Sequence, residues 1–122
     1  MKNAIVWSEI AVSDLKRATA FYEKLLDGKL KHENMGPHRI AVFPYSGEGV
    51  GGCLVHGEGY QPSGEGTLTY LAAAPGIDAA LERARAAGGR VLMPKTPLPG
   101  NMGFIAHVAD CEGNRIGLHA LS

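Results

Sequence analysis

Apolar positions along the chain switch from strand spacing to helix spacing and back, and then do so again. Ile5, Val6, Trp7, Ile10 and Val12 surround Glu9 and predict a strand over residues 4–12. Ser13 fits an N-cap, with Asp14 favoured in the first turn. Leu15, Ala18, Tyr22, Leu25 and Leu26 follow at helical spacing, and Gly28 suits the position past the end, so a helix is predicted over about 14–27. Strands are expected near 29–35, 38–45 and 50–56, broken by Gly36-Pro37 and by Ser46-Gly47-Glu48-Gly49. A polar stretch runs from Gly57 to Gly66. The pattern then restarts with a strand over Thr67–Ala73. Ile77, Ala80, Leu81, Ala84 and Ala87 carry a helical face closed by Gly88-Gly89. Strands are expected near 90–93, 102–109 and 114–120, the last two joined by the tight-turn sequence Asp110-Cys111-Glu112-Gly113.

The order is thus strand, helix and three strands, twice, at an offset near 62 residues. Leu15 matches Ile77, Ala18 matches Ala80, and Cys53-Leu54-Val55-His56 matches Ile116-Gly117-Leu118-His119 at an offset of 63. This predicts an α+β fold: a single domain over residues 1–122, with module one at about 1–57, a linker at about 58–66 and module two at about 67–122. Each helix covers one face of its sheet. The free faces must enclose a cavity or pack on another chain.

Composition narrows the function. With 12 Lys+Arg against 12 Asp+Glu, there is no net field to draw in nucleic acid or a membrane surface. The N-terminal apolar run is too short for a signal peptide or membrane span, so a cytoplasmic protein with Cys53 and Cys111 reduced is expected. The 17 Gly serve turns, close strand approaches or an open cavity.

Four stretches carry a family likeness: Glu9–Ala18 running into Ala20–Lys24, Gly51–Val55, Ile77–Glu82 with Ala87–Val91, and Asp110–His119. Their order and length resemble the vicinal oxygen chelate superfamily, the glyoxalase/bleomycin-resistance/extradiol-dioxygenase group. The resemblance implies paired βαβββ modules, a U-shaped cleft for a small-molecule ligand and a homodimer. In the enzymes it implies a divalent metal, with one ligand on the first and one on the last strand of each module. The positions that match those ligands hold Trp7, Leu54 and Gly117, which cannot bind a hard cation.

Two residues further along each strand stand Glu9, His56 and His119, and residues two apart share a strand face. Such a set suits Zn²⁺, Ni²⁺ or Fe²⁺. Alternatively, Glu9 pairs with Arg115 in a site without metal. Trp7 is expected as a wall that stacks on a planar ligand, and Tyr70 as a phenol donor. Pairing across the Cys111-Glu112 turn sets His107 opposite Ile116, on the helix-covered face, unless a bulge turns it into the cleft as a substrate contact. Gly57–Gly66 and Pro94–Gly100 could rim the cleft, the second equally serving as a rigid crossover.

Three functions follow. One is a metal-assisted lyase or isomerase acting on a small oxygenated substrate, with Glu9 as ligand or base, Tyr70 as a catalytic group and Arg115 orienting the substrate. The second is a metal-free protein that sequesters a planar compound, of the bleomycin-resistance kind. The third is a dimeric scaffold with a vestigial cleft.

Overall fold

The computed structural model describes residues 3–122, so the first two residues of the N-terminal run lie outside the described residues. Ten elements follow in order: β1 Trp7–Ala11, α1 Leu15–Leu26, β2 Lys31–Met35, β3 His38–Val42, β4 Gly51–His56, β5 Tyr70–Ala72, α2 Ile77–Ala86, β6 Arg90–Pro97, β7 Phe104–Ala109 and β8 Arg115–Ala120. They form two four-stranded sheets of order β1-β4-β3-β2 and β5-β8-β7-β6. In each, the first strand runs parallel to the last, and the remaining pairs are antiparallel. This is the paired βαβββ arrangement.

The helices bury their apolar stripes in one continuous core. Leu15, Ala18, Phe21, Tyr22 and Leu25 of α1 meet Ile77, Ala80, Leu81 and Ala84 of α2, with Ile10, Leu54, Ile116 and Leu118 beneath. Asp14, not Ser13, caps α1, its carboxylate accepting from the Arg17 N–H at 3.0 Å. At the other end Asp27 itself takes the left-handed conformation at φ 52°, so Gly28 is not needed there.

The second module grips α1 at both ends. Glu112, on the β7–β8 turn, accepts the N–H groups of Ser13 and Asp14 at 2.9 Å each, the Ser13 hydroxyl at 2.6 Å and Arg17 at 3.0 Å. Arg83 of α2 donates to the Leu25 carbonyl at 2.8 Å, near the helix C-terminus. Both contacts complement the helix dipole. Between them the buried Tyr22 hydroxyl donates to Asp110 at 2.5 Å. Burial, and then the Asp110 charge, hold the Tyr22 phenol well above its ordinary range.

Two departures from the sequence reading matter for the site. Residues 94–97 belong to β6 rather than to an irregular rim. An edge strand tolerates Pro94 and Pro97, and β6 carries register shifts between Val91 and Thr96. The β7–β8 hairpin closes on a three-residue loop, because the Asp110 N–H bonds the Asn114 carbonyl at 2.9 Å and Gly113 turns at φ +86°. That moves the pairing by one residue: Gly117, not Ile116, stands opposite His107.

Candidate functional site

Strand alternation divides the residues of each sheet between the core and the helix-free face. Ile10 pairs with Leu54 and Leu71 with Leu118, and all four face the core. Ile10 therefore corresponds to Leu71 and Leu54 to Leu118, at offsets of 61 and 64. Glu9 then corresponds to Tyr70, and Cys53 to Gly117. These four occupy equivalent central positions on the two free faces.

In each module an aromatic ring from the first strand lies over a glycine of the last strand. Trp7 covers Gly51, where an added Cβ would sit 2.8 Å from its ring, and Tyr70 covers Gly117, where an added Cβ would overlap the phenol ring. Only glycine leaves room for these rings. Tyr70 thus fills the space that a side chain at residue 117 would need. Trp7 also meets Tyr45 edge-on, with ring centroids 6.5 Å apart.

A groove of about 980 Å³ follows the junction of the modules, lined by Trp7, Glu9 and Ala11 on one side and by Tyr70, Ala72 and Arg115 on the other. Ser8 and Thr69 join the modules alongside it through their hydroxyls at 3.1 Å.

Across the second sheet, Tyr70, His107 and Arg115 form a hydrogen-bonded row. The Tyr70 hydroxyl lies 2.7 Å from His107 Nε2, and Arg115 Nη1 lies 3.0 Å from His107 Nδ1. Burial, and then the Arg115 charge, lower the affinity of the His107 imidazole for a proton. His107 therefore faces the groove side, correcting its expected place under the helix, and the one-residue change of register is the cause.

The remaining candidates separate. Glu9 is exposed and accepts from the Tyr60 hydroxyl at 3.1 Å, while Arg115 bonds His107, so the expected Glu9–Arg115 pair does not form. His56 shares the core-facing side of β4 with Leu54 and turns its Nδ1 to the Val12 carbonyl at 3.2 Å. It is thus on the opposite face from Glu9, because the true offset of β4 and β8 is 64 rather than 63. His119 is on the free face, but its Nε2 bonds the Met102 carbonyl at 2.7 Å. Among the described residues, no three His, Cys, Asp or Glu side chains come close enough to hold an ion. The donors at the equivalent central positions are a carboxylate, a thiol, a phenol and no side chain at all, a poor set for a hard divalent metal.

Sequence reasoning missed Tyr60. The stretch expected as a linker folds back on the first sheet, and Tyr60 packs on the cluster of Ile40, Cys53 and Val55. It meets His38 edge-on at 5.1 Å, and the His38 ring nitrogen bonds the Glu58 carbonyl at 3.2 Å. Cys53 beneath it is fully buried, which pushes its thiol up to about 11. An aromatic residue in an otherwise polar stretch was the available signal.

A sequence profile described as the glyoxalase/bleomycin resistance protein/dioxygenase superfamily matches residues 4–118. The chain belongs to this superfamily. Among solved structures it is similar to glyoxalase I from Zea mays, at 24% identity and a TM-score of 0.67, covering 94% of this chain and 45% of that one. It therefore spans less than half of the maize enzyme. It is also similar to the fosfomycin resistance protein FosX from Listeria monocytogenes, at 19% identity and a TM-score of 0.65, covering 98% of this chain and 94% of that one. A third similar structure is a glyoxalase/bleomycin resistance protein from Catenulispora acidiphila, at 20% identity and a TM-score of 0.64, with coverage of 96% and 97%. At these identities the likeness shows the fold. No curated protein sequence matches the chain. Among the described residues, no helix is long and apolar enough to cross a membrane.

Proposed function

We propose that this superfamily member binds a planar, oxygenated small molecule in the groove between its modules without a resident metal, in the sequestering manner of bleomycin-resistance proteins. The observation that carries this reading is that Trp7 occupies one expected ligand position and lies over Gly51, while Tyr70 lies over Gly117 at another. Trp7 and Tyr70 give the groove two π-faces, while Glu9 and Arg115 give it polar groups that fix a ligand's orientation.

The test uses the chain's only tryptophan, Trp7. Planar heteroaromatic compounds titrated into untagged protein should quench its fluorescence equally before and after treatment with a chelator. Elemental analysis should find no stoichiometric metal. Quenching that vanishes with the chelator and returns with Zn²⁺, Ni²⁺ or Fe²⁺ would overturn the reading.

A second reading keeps Glu9 and Tyr70 as catalytic groups. They stand at equivalent positions of β1 and β5 and both line the groove. A carboxylate base and a phenol acid would then move a proton on the bound ligand.

A further inference from the structure

The Tyr70–His107–Arg115 row has a definite polarity. A guanidinium can only donate hydrogen bonds. His107 Nδ1, 3.0 Å from Arg115 Nη1, must therefore accept. A neutral imidazole then carries its proton on Nε2 and donates it to the Tyr70 oxygen 2.7 Å away. With its lone pair so used, the Tyr70 hydroxyl keeps its own proton for something else. Tyr70 is 44% exposed at the groove, so that proton faces an incoming group.

The same face is short of negative charge. Among the described residues neither Arg115 nor Arg90 has a carboxylate partner. Arg90 pairs with Ala109 and Ala109 with Arg115, which puts both arginines on one face of the sheet. Together they line a second hollow of about 410 Å³ adjoining the row. Asp110 also borders that hollow, but its carboxylate is committed to Tyr22, to the backbone N–H groups of Glu112 and Asn114 and to the Asn114 amide. Half-buried Arg115 therefore lacks a counter-charge that the fold could have supplied.

We propose that Tyr70, His107 and Arg115, with Arg90 beside them, form a recognition site for an oxyanion of the ligand, a carboxylate or phosphate-type group. Arg115 and Arg90 supply charge, and Arg115 adds geometry through its planar fork. Tyr70 donates one further hydrogen bond. His107 is a positioning residue that fixes the Tyr70 proton. This assignment rests on the small-molecule reading above and gives that ligand its chemical class: planar and acidic.

The test compares benzoate and phenyl phosphate with neutral benzamide, reading Trp7 fluorescence and the ¹⁵N shifts of the His107 ring. The two anions should bind at least about tenfold more tightly than benzamide, as expected for a charge-assisted contact. The preference should shrink as salt is added. The free protein should show His107 protonated on Nε2. Arg115→Gln should bring the anions to the level of benzamide, and Tyr70→Phe should weaken them without changing the His107 tautomer.

Equal binding of benzoate and benzamide would overturn the anion site, as would an anion preference that survives Arg115→Gln. The groove would still stand as a ligand site in both cases. If none of the probes binds, the anion site falls along with the broader reading. The anion–neutral comparison is made on the wild-type chain, so it holds even if a variant fails to fold.

Discussion

Glu112 is the residue through which module two holds the start of α1, and its replacement tests how the modules are joined. Its side chain is only 1% exposed. Glu112→Gln keeps the shape but removes the charge; Glu112→Ala removes every bond. The alanine variant leaves the Ser13 and Asp14 N–H groups and the Ser13 hydroxyl without their acceptor. Each charge-assisted bond contributes about 1.5–3 kcal/mol at most, and water entering the vacated site recovers part of it. Exposed Arg17 adds little. The expected loss is about 3 kcal/mol, or roughly 10 °C in Tm for a domain of this length. Denaturant unfolding at pH 7 measures it. A loss below about 0.5 kcal/mol, the level of an ordinary surface change, would refute the clasp.

The pH dependence of that difference has a definite sign. Burial pushes the Glu112 carboxyl up, but the Ser13 hydroxyl and N–H, the Asp14 N–H and Arg17 together outweigh it, and the net result lies below the ordinary value of 4.5. A lowered carboxyl contributes stability that is complete above the unfolded value and lost as pH falls through the folded one. The gap between wild type and Glu112→Gln should be constant near neutrality and narrow only below about pH 4.5.

Three further outcomes are expected. Gly117→Ala should cost about 1–2 kcal/mol by forcing the Tyr70 ring off the strand, and in a Tyr70→Ala background the same change should cost less, a coupling that a double-mutant cycle reads directly. In an NMR titration His107 should gain its proton below the ordinary value of 6.5, and Arg115→Gln should raise that midpoint; an unshifted wild-type midpoint would contradict the His107–Arg115 contact. Tyr22→Phe should lower stability by about 1–2 kcal/mol by taking one donor from buried Asp110, and an unchanged unfolding midpoint would refute it.

The repeated βαβββ order was legible because it depends on periodicity, and both helices fall within a residue or two of their expected ends. The site was legible where one strand face decides it. Trp7, Glu9, Tyr70 and Arg115 all line the groove. It was illegible wherever a single residue of register decides a face. His56 was matched to His119 by counting along the chain, but β4 and β8 differ from that count by one, which reverses the face. His107 was misplaced for the same reason, because its hairpin closes on three residues rather than two. Tyr60 depends on a loop folding back across 51 positions to Glu9, and no local pattern encodes such a contact.

The central claim is that the functional site is the groove between the modules and needs no resident metal. The most direct measurement is amide and side-chain NMR mapping of a planar aromatic acid, titrated into chelator-treated protein. The account predicts shifts centred on Trp7, Ala11, Tyr70, Ala72 and Arg115. Shifts centred instead on the hollow between α1 and β3, around Lys16, Thr19 and Arg39, would contradict it, as would shifts that appear only when a divalent metal is restored.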